Sequence, residues 1–198
     1  MSASHLIIFL HGIGASGQQL APIASSWRAH LPKFAFATPD APCRNGYGGR
    51  QWFAVDGMQL DPSRMREARE AFDRTIDEVV AREGFADRLE EVSFVGVSQG
   101  AIMALEGVAS GRWGVGALVA FSGLLPPTPV LQKNNRTPVL LVHGADDRTI
   151  PSVASTLAAG QLRSAGFSVE LDIEPHIGHT ISASGAGKAV AFLRRTFR

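Results

Sequence analysis

The sequence predicts an α/β fold with a mostly parallel central sheet and helices on both of its faces. Two observations carry that expectation. Short apolar runs at residues 6–10, 34–38, 92–97, 117–121, 139–142 and 169–173 alternate with longer amphipathic segments at 18–30, 62–82, 99–110, 152–165 and 184–197. Most of the short runs are continuously apolar, the pattern of strands buried on both faces of a parallel sheet. A strand–helix alternation of this kind implies right-handed crossovers that lay helices against both faces.

Each element has its own local reason. The first strand, "LIIFL", runs straight into a glycine-rich stretch, "HGIGASG". The second leads into an irregular region, 38–63, and the helix after it starts at Asp61-Pro62, a capping carboxylate followed by proline in the first turn. The strand 92–97 passes directly into the helix 99–110. The strand 117–121 opens a second irregular region, 122–138, and regions of that length in a compact domain are usually functional or mobile. Ile150-Pro151-Ser152 opens the helix 152–165 and Gly166 stops it. The terminal helix ends in Arg194, Arg195 and Arg198, cations suited to the negative end of its dipole. There is no internal repeat and no linker, so one domain is expected over residues 1–198.

The bulk composition narrows the function. Hydrophobic residues make up 45% of the 198 and charged residues 19%, which suits a packed core. The formal net charge is +1, from 19 basic and 18 acidic residues, and gives no electrostatic reason to expect nucleic acid as a partner. A single cysteine, Cys43, rules out an intramolecular disulfide or a thiolate metal cluster. The opening "MSASHLIIFL" lacks the basic region of a signal peptide, and no stretch approaches the ~20 apolar residues that cross a bilayer. A cytoplasmic protein without stable membrane insertion is expected.

Chemistry enters at "VSFVGVSQGAIMALEGVA", residues 92–109, where Ser98 stands in a G-x-S-x-G pattern. The motif is short, but it sits between a strand and a helix, the context in which a sharp turn presents a serine as a nucleophile. A serine hydroxyl needs a base, and the base needs an orienting carboxylate. "LLVHGADDRTIP" offers Asp146 and Asp147 just past one later strand, and "VELDIEPHIGHT" offers His176 and His179 just past the last. Ligands of open α/β sheets bind at the carboxyl ends of the strands, and the order Ser…Asp…His is that of the α/β-hydrolases. The backbone N–H of Gln99 and that of Ile13, in the first glycine-rich loop, are the expected oxyanion donors. That loop has neither G-K-[ST] nor G-x-G-x-x-G, which argues against a nucleotide.

At this point the sequence resembles the phospholipase/carboxylesterase family of small α/β-hydrolases, which includes acyl-protein thioesterases. The matching pieces are "FLHGIGASG", "TPDAP", "WF", "GVSQGAIMAL", "FSGLLP", "HGADDRTIP" and the Gly178-His179 step. The resemblance implies an α/β-hydrolase fold without a large cap domain, and a Ser–Asp–His esterase that needs no cofactor or metal. It selects Asp147 as the triad acid and His179 as the base. It also implies that an aromatic of the Trp52-Phe53 pair, Trp52 first, helps to wall the site, where a loop anchor packed on the core is the alternative. Leu124, Leu125, Pro126 and Pro127 follow a strand near the site, and either line an acyl groove or form a plain apolar turn. Three positions depart from the family: Ala15 replaces a common acidic residue, Ala101 replaces the second glycine after the serine, and "CRNGYGGRQ" is shorter and richer in glycine.

The remaining candidates have plainer readings. His11 and His143 each precede a glycine at a strand end, where a ring nitrogen can satisfy loop backbone groups. His5 and His30 read as surface residues and Cys43 as a loop thiol. The expected partner is a small-molecule or lipid-like ester, and a lysophospholipase or a protein depalmitoylase would use the same chemistry. A non-catalytic ligand binder on this fold is the reading from another class.

Overall fold

The computed structural model describes residues 3–46, 48–57, 61–126, 131–132 and 136–198. Six parallel strands form the central sheet: β1 (His5–Leu10), β2 (Phe34–Ala37), β5 (Val92–Val97), β6 (Ala117–Phe121), β7 (Val139–Gly144) and β8 (Val169–Glu174). Their order is β2-β1-β5-β6-β7-β8, with every neighbouring pair parallel. The chain therefore builds outward from β1 to β2, crosses over, and then builds the other way from β5 to β8. The change of direction falls between β1 and β5, and the loops leaving those two strands diverge to open a crevice.

Side chains of the sheet divide between two cores. Leu6, Ile8, Leu10, Phe94, Leu118 and Leu141 pack under α2 (Pro62–Glu83), α3 (Gln99–Ala109) and α4 (Val153–Ser164). Ile7, Phe9, Val95, Val119 and Val142 face α1 (Ala21–Trp27) and α5 (Ala183–Thr196) on the other side. Successive strand residues point to opposite faces, so a strand covered on both must be apolar at every position. β8, one of the two edge strands, is the exception, because its faces are only partly covered. Its Glu170 is exposed and its Asp172 partly so, and they pair with Arg195 and Lys188 of α5.

Boundaries follow the expected punctuation with small shifts. Asp61 caps α2 by accepting the N–H groups of Ser63 and Arg64, and Gly84 ends that helix in a left-handed conformation. The helix expected over 18–30 begins instead with a single 3-10 turn, Gly17–Leu20, and only then becomes α1. The region 38–63 contains a hairpin that sequence patterning did not reveal, β3 (Cys43–Arg44) against β4 (Arg50–Gln51). Each of its strands is two residues long, too short to show any period. His5 is not a plain surface residue, since its ring lies 4.8 Å from those of both Phe34 and Phe197.

The helix after Ser98 is anchored from below. Glu106 of α3 is fully buried and meets Arg69 of α2 at 2.8 Å and Arg112 at 2.6 Å. Arg112 in turn reaches Asp73 of α2 at 2.9 Å, so two helices share one ionic network. A buried carboxylate without such partners would cost several kcal/mol.

Candidate active site

Ser98 stands at the end of β5 with φ 52° and ψ −117°, a backbone conformation that L-residues rarely adopt. Its N–H donates to the Phe121 carbonyl at 3.0 Å, and its carbonyl accepts from Ile102 at 3.0 Å. The turn is held between one strand and one helical turn. Close packing imposes the flanking glycine: a Cβ on Gly100 would lie 2.1 Å from the Leu10 carbonyl oxygen. The departure at Ala101 is accommodated opposite Gly123, where a Cβ would come within 2.7 Å of the Ala101 methyl.

Beside Ser98 lies a cavity of about 400 Å³, walled by apolar side chains such as Ile13, Phe53, Met65, Ile102, Leu124 and Ile150. Leu124 therefore lines the cavity as expected, with Pro126, while Leu125 packs on the core. Pro127 lies outside the described residues. Trp52 does not line this cavity. It is 1% exposed, its indole N–H donates to the His11 carbonyl at 2.9 Å, and its ring packs edge-on against Phe72. The aromatic at the cavity is its neighbour, Phe53.

The side chain of Gln99 explains how Phe53 is placed. Its Oε1 accepts the Trp52 N–H at 2.9 Å and its Nε2 donates to the Phe53 carbonyl at 2.7 Å. One amide thus clamps the 52–53 backbone to the start of α3, which sequence spacing could not have shown across 46 residues. Gln99→Met, similar in shape but with no polar group, would leave two backbone groups unpaired at about 1–3 kcal/mol each. The expected result is a KM raised several-fold with kcat changed less, measured by steady-state kinetics.

The first glycine-rich loop is fixed from several directions. Gly14 N–H donates to Arg50, Gly17 N–H to the Asp40 carboxylate, and Ala15 forms a bridge with Arg50. None of these bonds uses the N–H of Ile13, and that of Gln99 is the first of its helix and lacks an intrahelical acceptor. His11 is fully buried beneath the loop, accepting from Ala41 N–H at 2.9 Å through Nε2 and donating to Gly12 O at 2.7 Å through Nδ1. Burial pushes its proton affinity below the ordinary histidine value, and the Gly12 bond offsets this only in part. The unfolded chain then binds the extra proton. Stability from His11 is complete above about pH 6.5 and declines as the pH falls below it. The melting temperature should drop between pH 7 and 5, and by less in His11→Gln.

Asp147 and His179 meet at the far side. Asp147 follows β7, and its Oδ1 accepts the N–H groups of Thr149 at 2.8 Å and Ile150 at 3.0 Å. Its Oδ2 lies 2.6 Å from His179 Nδ1, in the loop after β8. Burial would raise the carboxyl above the usual range, but the His179 hydrogen bond and the two backbone donors outweigh it and hold it below. Asp147 is therefore an ionised acceptor, so His179 Nδ1 carries the proton and Nε2 is left as the acceptor nitrogen. Hydrogen bonding between Ser98 and His179 is not among the contacts of the described residues. The rival pair is set apart in solvent: the side chains of His176 and Asp146 are 94% and 64% exposed and lie 3.9 Å from each other. Cys43 is exposed on the hairpin.

A parallel sheet with its cavity where strand order reverses, and a strand-end serine beside that cavity, define an α/β-hydrolase. The profile of the family described as Phospholipase/Carboxylesterase matches residues 1–197. Carboxylesterase SOBER1 of Arabidopsis thaliana is 32% identical over 197 residues, covering 91% of this chain and 85% of that protein. Esterase YpfH of Escherichia coli is 28% identical, covering 98% and 84%. The crystal structure of esterase PE8 superposes with a TM-score of 0.88 at 31% identity, over 99% of this chain and 94% of that one. The chain belongs to the phospholipase/carboxylesterase family and is a carboxylic ester hydrolase. No helix of the described residues is long and apolar enough to cross a membrane.

Proposed function

We propose that this hydrolase works through an acyl-enzyme on Ser98, with His179 as the base and Asp147 as the acid of the triad. The observation that carries this reading is the 2.6 Å contact between Asp147 Oδ2 and His179 Nδ1, which leaves Nε2 unprotonated and able to accept. As Ser98 Oγ attacks the ester carbonyl carbon, its proton passes to Nε2 and the carbonyl oxygen becomes an oxyanion. The N–H groups of Ile13 and Gln99 receive that oxyanion, and Asp147 stabilises the imidazolium. Collapse breaks the bond to the alcohol or thiol, which leaves with the proton from Nε2. Water then enters, loses a proton to the same nitrogen and releases the acid by the reverse sequence. The hydrogen bond between serine and histidine is often absent in a free enzyme and tightens when substrate binds.

The substrate reading rests on the cavity. Its volume of about 400 Å³ lies toward the small end of ligand sites, and its wall is mostly apolar. An ester or thioester with a short to medium acyl chain fits it, and Leu124 and Phe53 would contact that chain. The test is a series of nitrophenyl esters of increasing acyl length, with a fluorophosphonate probe in parallel. Labelling at Ser98 and a maximum at short to medium acyl chains are expected. A maximum at long chains would favour a lysophospholipase or a depalmitoylase. Absence of labelling would leave a ligand binder.

A further inference from the structure

His143, on β7, lies four residues before Asp147, and its side chain is fully buried. Its Nδ1 sits 2.7 Å from Ser155 Oγ of α4. Its Nε2 sits 2.8 Å from the Ile150 carbonyl oxygen and 3.2 Å from Asp147 Oδ2. Both of those neighbours only accept, since Asp147 is ionised, so Nε2 bears a proton. That N–H satisfies the Ile150 carbonyl, as expected of a loop histidine. It also places a positive dipole end beside the carboxylate oxygen that holds His179. In a water-poor interior such a dipole acts on the charge with little screening.

We propose that His143 is a positioning residue for the ester hydrolysis: its Nε2–H orients Asp147 Oδ2 and tempers its charge, and thereby sets how strongly Asp147 holds the imidazolium of His179. The inference rests on the triad reading. Its geometric basis is that one ring links three segments. Ser155 fixes the ring from α4, the Ile150 carbonyl closes the turn whose N–H groups bind Oδ1 and accepts from Nε2, and Nε2 itself lies 3.2 Å from Oδ2. The other charged groups around this turn point elsewhere. Asp146 and His176 face each other in solvent, Arg148 is exposed, and the Glu174 carboxylate is taken by Ser182 at 2.6 Å and Lys188 at 3.6 Å.

The sign of the effect follows. With the Nε2–H removed, Asp147 becomes a stronger partner for the imidazolium, and more alkaline solution is needed to free Nε2 of His179. In His143→Leu the acidic limb of the kcat/KM profile should move up by about half a pH unit or more, and kcat/KM should fall about tenfold. His143→Gln, which can return an N–H to this place, should restore the limb to its original position. Ser155→Ala, which frees only the far side of the ring, should shift the limb in the same direction by less, and serves if the leucine variant does not fold.

A limb that stays in place or moves down in His143→Leu and Ser155→Ala, with melting temperature lowered, would make His143 structural only. Asp147→Asn separates this failure from that of the triad. If Asp147→Asn stays fully active, both readings fall. If it is inactive while the limb is unmoved by the His143 and Ser155 changes, only the inference about His143 falls.

Discussion

Ser98→Ala should lower kcat on a nitrophenyl ester by at least about 10⁴-fold, and should abolish both the burst of released phenol and fluorophosphonate labelling. Loss of the nucleophile alone costs roughly 10⁶-fold in a serine protease, because the remaining groups cannot form the acyl-enzyme. Stability should barely change, since no hydrogen bond to Ser98 Oγ is lost among those of the described residues. Backbone strain supplies an independent check. At φ 52° and ψ −117° alanine is as strained as serine, whereas glycine is not. Ser98→Gly should be equally inactive yet more stable than Ser98→Ala by about 1 kcal/mol, read by chemical denaturation. Retained activity in Ser98→Ala would remove Ser98 from the mechanism. Equal stability of the two variants would remove the strained turn.

Asp147→Asn should lower kcat/KM by about 10⁴-fold, the cost when a triad histidine is left in the wrong tautomer. Asparagine keeps the shape, and its carbonyl can still accept from Thr149 and Ile150. Its amide nitrogen would then face His179 Nδ1, forcing that atom to become the acceptor and placing the proton on Nε2. The base is lost although the geometry survives. The carboxyl of Asp147 is held below the ordinary aspartate range, so its contribution to stability is complete above about pH 4 and disappears only as the pH falls through its lowered folded-state value. In Asp147→Asn the acid-induced loss of stability below pH 4 should be smaller. A variant within tenfold of the parent would refute the role of Asp147.

Much of the fold was legible because parallel strands buried on both faces leave an unmistakable pattern. "LIIFL", "VSFVGV" and "VLLVHG" have no polar side to hide, and each ends in the turn where a functional residue sits. The hairpin β3–β4 was not legible, since two-residue strands carry no period. The site residues were legible in proportion to their dependence on local context. Ser98 is marked by the strand, turn and helix around it. Asp147 could be told from Asp146, and His179 from His176, only by family likeness, because neighbouring residues in a loop share every local signal.

Tertiary structure supplied what depends on residues distant in sequence. The Gln99 amide spans 47 and 46 positions to clamp Trp52 and Phe53, the Trp52 indole is buried away from the cavity, and Phe53 lines it. His143 read as a loop-satisfying histidine until its Nε2 was found 3.2 Å from Asp147 Oδ2. The sequence by itself determined the fold class, the strand ends that carry the chemistry and the serine on its turn. These follow from periodicity and from turn stereochemistry, which are properties of a few adjacent residues. Only the tertiary structure decided which side chains wall the cavity and which donors surround the carboxylate, because direction and distance between loops exist only once the sheet has brought β1, β5, β7 and β8 side by side.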